Sequence, residues 1–168
     1  MATEAYIADW RGKQVFTLAT KANMEAMKKA AHLVEGDVKR HFTLIGSGRI
    51  YKRGKKIHRA SAPGEAPAID NNILRSSIMS NVFVDDNFNV IGQVGPDIEH
   101  IAERQQKRIA AGKTSFGTDV NYGLYLELGT RRVTKSGIKR MAPRPFLRPA
   151  LRRTRHDVRR IFMKANGI

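Results

Sequence analysis

An α+β domain, in which two amphipathic helices bracket a small and mostly antiparallel β-rich middle, is what this sequence predicts. Three observations predict it. From Lys13 to Ile45 apolar residues recur at helical spacing, from Ile78 to Val84 the period drops to two, and after Pro149 the helical stripe returns.

In the first helix Val15, Leu18, Ala22, Ala26, Ala30, Val34, Val38, Phe42 and Ile45 share one stripe, while Lys21, Lys28, Lys29, Lys39 and Arg40 point elsewhere. Gly36 costs ~1 kcal/mol relative to Ala in a helix interior and marks a place to bend. Gly46-Ser47-Gly48 then ends the helix. Arg49 to Asn72 combines glycine, proline and many charges without periodicity, which predicts a long mobile loop. Next, Ile78, Ser80, Val82 and Val84 fall on one face of a strand and Met79, Asn81 and Phe83 on the other. Asp85-Asp86-Asn87 supplies turn chemistry, and Val90 to Val94 completes a β-hairpin.

Asp97 to Ala111 predicts a peripheral helix with a thin stripe of Ile98, Ile101 and Ala102, stopped by Gly112. Val120 to Leu128 is apolar and aromatic-rich, a buried helix or strand halted by Gly129. Thr130 to Ala142 is polar and basic, with a turn at Ser136-Gly137. Pro149 suits the first position of a last helix, where its missing N–H costs nothing. Leu151, Thr154, Val158, Ile161 or Phe162, and Ala165 form its stripe. Arg152, Arg153, Arg155, Arg159, Arg160 and Lys164 take the remaining surface. One domain is expected over residues 1–168, with flexible basic loops at 49–72 and 131–141 and no internal repeat.

At 168 residues the chain is long enough to bury a core, and its hydrophobic fraction of 41% is ordinary for a globular protein. It has no cysteine, which excludes disulfides and thiolate metal sites and fits a reducing compartment. No apolar run approaches the roughly 18 residues of a membrane-spanning helix. Met1-Ala2-Thr3-Glu4 lacks the features of a secretory signal, so a soluble protein made in the cytosol is expected. Charge is the unusual property: 31 Lys and Arg against 15 Asp and Glu give a formal +16. Six basic residues and no acid lie between Arg49 and Arg59; ten, with Asp157 alone opposing them, follow from Lys139. Such an excess suits a polyanion or an acidic protein surface, although solvated faces would account for it equally well.

Catalytic patterns are missing. Gly112-Lys113-Thr114 lacks both the earlier glycine and the preceding strand of a phosphate-binding loop, since Lys107 stands at the glycine's place. Gly46-Ser47-Gly48 lacks the third glycine of a dinucleotide fingerprint. His32, His41, His58, His100 and His156 show no metal-ligand spacing, and no Gly-x-Ser-x-Gly elbow occurs. Asp85-Asp86 reads as turn chemistry rather than a metal site. Tyr51, Phe146 and Phe162 are the aromatics nearest the basic runs, too sparse for a base-stacking platform. A non-enzymatic protein without cofactor or metal is the expectation.

Two segments carry more information. Ala62-Pro63-Gly64-Glu65-Ala66-Pro67 is a stiff turn that leads through Leu74-Arg75-Ser76-Ser77-Ile78 into a strand. Tyr122-Gly123-Leu124-Tyr125-Leu126-Glu127-Leu128-Gly129-Thr130 is followed, after a basic loop, by Pro143-Arg144-Pro145-Phe146-Leu147-Arg148-Pro149-Ala150-Leu151. The prolines hold the chain extended, present Phe146 and Leu147 as apolar anchors and launch the last helix. Glu127, in an apolar stretch, needs a partner if buried, and Arg144 or Arg148 is the expected one.

Together these blocks, in this order and behind a long amphipathic helix, resemble the tail-completion (head–tail joining, minor tail) family of long-tailed phages. The resemblance spans roughly Lys13 to Lys164. It departs at Asn71-Asn72, where Thr-Gly is usual, at residues 97–119, which look like an insertion, and at 131–141, a longer and more basic loop than the shortest versions.

The resemblance implies a subunit of a ring, commonly six-fold, between the head connector and the tail tube, located in the virion and assembled in the host cytoplasm. Its implied partners are copies of itself, the connector-side adaptor and the tail-tube protein, with no membrane and no catalytic residues. In isolation such a subunit can be a monomer. Interface candidates in the first loop are Arg53, Lys55, Lys56, Pro63 and Glu65. Around the second they are Glu127, Arg131, Arg132, Arg144, Phe146 and Arg148. A sequence-independent nucleic-acid-binding protein is the alternative, carried by charge alone, and DNA threading such a neck makes the two compatible. A nuclease would need a carboxylate or histidine cluster that the sequence does not offer.

Overall fold

Small residues at four-residue steps make the long first helix the axis around which the other elements gather. The computed structural model describes residues 12–43, 46–53, 55–70, 72–112, 122–134 and 137–167, with the backbone alone at 12–16, 53, 56, 132–134 and 137–140. Helix α1 (Gly12–His41) buries Ala26, Ala30, Ala31, Val34 and Val38, and Phe42 continues the stripe just past its end. Its alanines leave room for close approach, and α5 (Leu147–Ala165), β3 (Ile78–Val84) and β4 (Val90–Pro96) all pack against it. The expected stripe is too long at its start. Leu18 is 67% exposed, because burial along the described part of α1 begins only at Ala26. The side chain of Val15, and Ile45, lie outside the described residues.

The helix runs unbroken through Gly36, where an added Cβ would meet nothing within 4 Å. Gly36→Ala should therefore stabilise the chain by roughly 0.5–1 kcal/mol, by restricting the unfolded chain and improving helix propensity. A urea melt should show a higher midpoint at unchanged slope.

The described strands form three separate two-stranded antiparallel ladders. β3 pairs with β4 in the predicted hairpin, Val84 opposite Val90 beside the turn and Ile78 opposite Pro96 at the far end. Its faces fall as the alternation predicts: Ile78 is buried and Ser80, Val82 and Val84 are half-buried, while Met79, Asn81 and Phe83 are exposed. Gly92 lets β4 lie close to α1, since a Cβ there would sit 2.7 Å from Met27 Sδ.

The other two ladders correct the expectation of irregular loops at 49–72 and 131–141. Within the first lie β1 (Ile50–Arg53) and β2 (Lys56–Arg59); the second is occupied by β5 (Thr130–Thr134) and β6 (Gly137–Met141). Ile50 and Ile57 are exposed in the first of these ribbons. Alternation records one buried face, and a ribbon that leaves its apolar residues in solvent writes no such record. Gly46 and Gly48 do not end α1, which already stops at His41. They lie against Ala60 and Ser61 at the base of this ribbon, where a Cβ on Gly46 would stand 2.2 Å from the Ala60 carbonyl oxygen.

Three short or peripheral helices complete the described residues. The segment entering β3, read as a turn, forms α2 (Ile73–Ser77) behind Asn72, which takes the left-handed conformation at φ 59°. Asn tolerates that region better than most residues, and it occupies the second position of the departing Asn71-Asn72 pair. α3 (Ile98–Ala110) starts as predicted on Asp97, whose carboxylate caps the N–H groups of Glu99 and His100. α4 (Tyr122–Leu128) decides the helix-or-strand alternative in favour of a helix. In α5, Pro149 is the third residue rather than the first, still within the turn whose N–H groups have no helical partner.

The core draws on α1, α2, β3, α4 and the start of α5: Val34, Val38, Phe42, Leu74, Ile78, Leu126, Phe146 and Ala150. The rings of Phe42 and Phe146 pack with centroids 5.3 Å apart and planes tilted by 59°. Among the described residues no helix is long and apolar enough to cross a membrane.

Candidate assembly site

The sequence blocks singled out above meet where α4, β6 and the start of α5 converge. Gly129, at φ 75°, ends α4 in the left-handed conformation, and a Cβ on it would lie 2.6 Å from the Met141 carbonyl oxygen. The chain then runs out along β5 and back along β6, and Arg144 N–H returns to the Leu126 carbonyl at 2.6 Å. This brings the start of α5 over Glu127.

Glu127 is buried, and its expected arginine partner is not what it binds. Its Oε2 accepts the backbone N–H groups of Phe146 at 2.7 Å and Leu147 at 3.0 Å, and its Oε1 accepts that of Arg148 at 3.0 Å. Phe146, the residue at the cap position, offers no capping side chain. Four N–H groups at the start of a helix lack helical partners. Here three are satisfied by one carboxylate from α4, and the fourth position is Pro149, which has no N–H. The negative charge also sits at the positive end of the α5 dipole. Sequence reasoning identified the right residue and the need for a partner, but paired it with a side chain instead of backbone.

The Ala-Pro-Gly-Glu turn docks on the same junction. Pro63 fixes φ and Gly64 takes φ 83°, with Glu65 N–H bonded to the Ala62 carbonyl at 3.2 Å, the geometry of a type II turn. The Glu65 carboxylate accepts Ala62 N–H at 2.8 Å, Ser47 N–H at 3.3 Å and the Ser47 hydroxyl. Gly64 N–H bonds the Pro143 carbonyl at 2.9 Å. Arg144 ties the parts together, its Nε donating to the buried Ser61 carbonyl at 3.0 Å and its Nη1 to the Ala142 carbonyl at 3.3 Å.

The other candidate residues scatter. Phe146 is 2% exposed and anchors the core, not a surface. Lys55 is exposed in the β1–β2 turn, Arg131 on β5, Pro63 on its turn and Arg148 at the first turn of α5. Arg53, Lys56 and Arg132 lie in strands by their backbone, and their side chains are outside the described residues, as are Lys113 and Thr114. The register sets Arg53 opposite Lys56, Arg131 opposite Arg140 and Arg132 opposite Lys139.

Two further polar contacts join α1 to its neighbours. Asp37, buried on α1, accepts both Nε and Nη2 of Arg153 at 2.9 and 2.7 Å and so locks α5 across α1. An acid three residues after Val34, on the stripe itself, was the available signal. On the β3 side, Glu35 accepts Lys39 Nζ at 2.7 Å and the Ser80 hydroxyl at 2.6 Å, with His32 Nδ1 3.1 Å from the same hydroxyl. The carboxylate takes the serine hydrogen bond directly. It does not orient the imidazole from its far nitrogen as a nucleophile's base requires.

Burial pushes the Glu35 carboxyl up, but the hydrogen bonds from Lys39 and Ser80 and the charges of Lys39 and His32 outweigh it and hold it below its ordinary 4.5. For Glu65 the Ser47 hydroxyl, then the N–H groups of Ala62 and Ser47, lower it from the same value. Both bind protons more weakly when folded, so their contribution is complete above pH 4.5 and is lost as pH falls through the lower folded values. Urea midpoints should drop over that acid range, and a combined Glu35→Gln and Glu65→Gln variant should show a shallower drop.

Neither a family model, nor a curated protein, nor a solved structure matches this chain.

Proposed function

We propose that this chain is a structural subunit that acts by assembling with other proteins. More particularly, we read it as a tail-completion subunit that joins a phage tail to the head connector within a ring, expected to be six-fold. One observation carries the reading. The separate blocks that resemble that family come together at a single junction, and there Glu65, Glu127 and Arg144 all hold backbone groups. Polar residues used this way fix the relative placement of a turn, a ribbon and a helix. That is the work expected of a scaffold presenting surfaces to neighbours. Mixing the purified protein with tails lacking their completion subunit and with DNA-filled heads, then imaging the products, tests it. Particles joined or tails capped would support the reading; tails and heads left as they were would reject it.

A second reading, sequence-independent binding of nucleic acid, is favoured by the exposed arginines Arg152, Arg155 and Arg159 along α5. It requires duplex affinity that falls with salt, at a logarithmic slope of roughly −0.9 per phosphate contacted. Loss of that binding on reversing these charges, with tail joining intact, would separate the two activities.

A further inference from the structure

We infer that the tip of the β3–β4 hairpin docks on a second copy of this chain, in the apolar groove between its α1 and α5; this rests on the self-assembling part of the reading above. In a chain of net charge +16, the 28 residues from Ser76 to Glu103 contain no Lys or Arg and hold five acids, its longest stretch free of basic residues. Two of these acids, Asp85 and Asp86, sit at the tip. Asp85 is committed to the turn: Oδ1 accepts the N–H groups of Asn87 at 3.0 Å and Asn89 at 2.7 Å, and Oδ2 accepts the Asn89 amide at 3.0 Å. Asp86 is left as the outward charge, exposed beside Phe88. The same turn holds Phe88 at φ 62° and 65% exposed. A left-handed backbone is unfavourable for a bulky side chain, and so is an aromatic ring in water. A turn that keeps both suits an anchor.

The groove is the matching surface. Its floor is Ala30, Ala31 and Val34 of α1, its walls include Val94 and Leu151, and its volume is about 280 Å³. Leu151 stands at its edge, 58% exposed. Arg148, Arg152 and Arg155 follow that edge along α5 at helical spacing, all exposed. Among the described residues the ion pairs of α5 are Arg153 with Asp37 and Arg160 with Asp157, so these three have no acidic partner there. Copies of so basic a chain repel each other through most of their surfaces. An apolar tip bearing Asp86 against an apolar groove edged by arginine is the pairing that charge favours.

Because the chain has no cysteine, the contact can be trapped. Full-length Phe88→Cys mixed with Leu151→Cys and mildly oxidised should give a disulfide-linked heterodimer, which an exposed control, Ile109→Cys, should not give with either. In sedimentation, Asp86→Arg and Arg152→Glu should each weaken self-association at least ten-fold, and mixing the two variants should restore it. Phe88→Asn keeps a residue that tolerates the left-handed backbone, so it should weaken association without lowering the melting temperature. A chain that stays monomeric to its solubility limit, or association untouched by both charge reversals, overturns the contact. Tail joining is read separately. Joining that survives Asp86→Arg rejects the contact alone, whereas self-association through this contact without any joining rejects the virion role alone.

Discussion

Replacing Glu127 with Ala should destabilise the chain by about 3 kcal/mol or more, the loss expected when buried donors lose a charged partner. One carboxylate accepts three N–H groups at the start of α5, and the first, that of Phe146, is buried. Water can reach the freed Phe146 N–H only by opening the junction between α4 and α5. The charge at the positive end of α5 is lost in the same step. Against a total of roughly 5–15 kcal/mol for an ordinary domain, this is a large share. Glu127→Gln should fall between, because its carbonyl oxygen still accepts hydrogen bonds while its amide turns donors toward donors. Equilibrium urea melts of the three proteins measure both. If Glu127→Ala stays within about 0.5 kcal/mol of the parent, the range of an ordinary surface change, the capping role is wrong.

How far the sequence disclosed this depends on what each element buries. α1 was legible because it buries one stripe, and period 3.6 survives even where Gly36 interrupts propensity. α5 was legible as a helix, but it buries Ala150 and Thr154, while Leu151 and Ala165 of the expected stripe are exposed. The β3–β4 hairpin was legible for the same reason at period two. The ribbon β1–β2 was not, since Ile50 and Ile57 remain in solvent, and the polar, basic sequence of β5–β6 carries no alternation either. At the junction, the blocks could be recognised but not their wiring. A sequence states that Glu127 needs hydrogen bonds; it does not state that the N–H groups of residues 19 to 21 positions later will supply them. Backbone donors are identical at every residue but proline, so only the return of the chain along β5 and β6 selects them. Pro149, read as a helix starter, acquires a sharper meaning there, as the position where no fourth donor has to be satisfied.

Phe146→Ala should cost about 3–5 kcal/mol, the range for removing a buried aromatic side chain. Phe146 is 2% exposed, its ring lies 5.3 Å from that of Phe42, and its backbone N–H is held by Glu127. The ring therefore joins the end of α1 to the start of α5, and the void left behind would be bordered by residues of α1, α2, β3 and α4. Of the total, the ring pair itself should account for roughly 0.5–1.5 kcal/mol as the coupling in a double-mutant cycle with Phe42→Ala. A surface anchor would behave differently. Truncating such a residue leaves the melting of the isolated chain unchanged and appears only when a partner is added. For Phe146 the whole loss should be present in the chain alone and should be independent of protein concentration. If Phe146→Ala melts like its parent and fails only in assembly, the ring belongs to an interface and its place in this core is wrong.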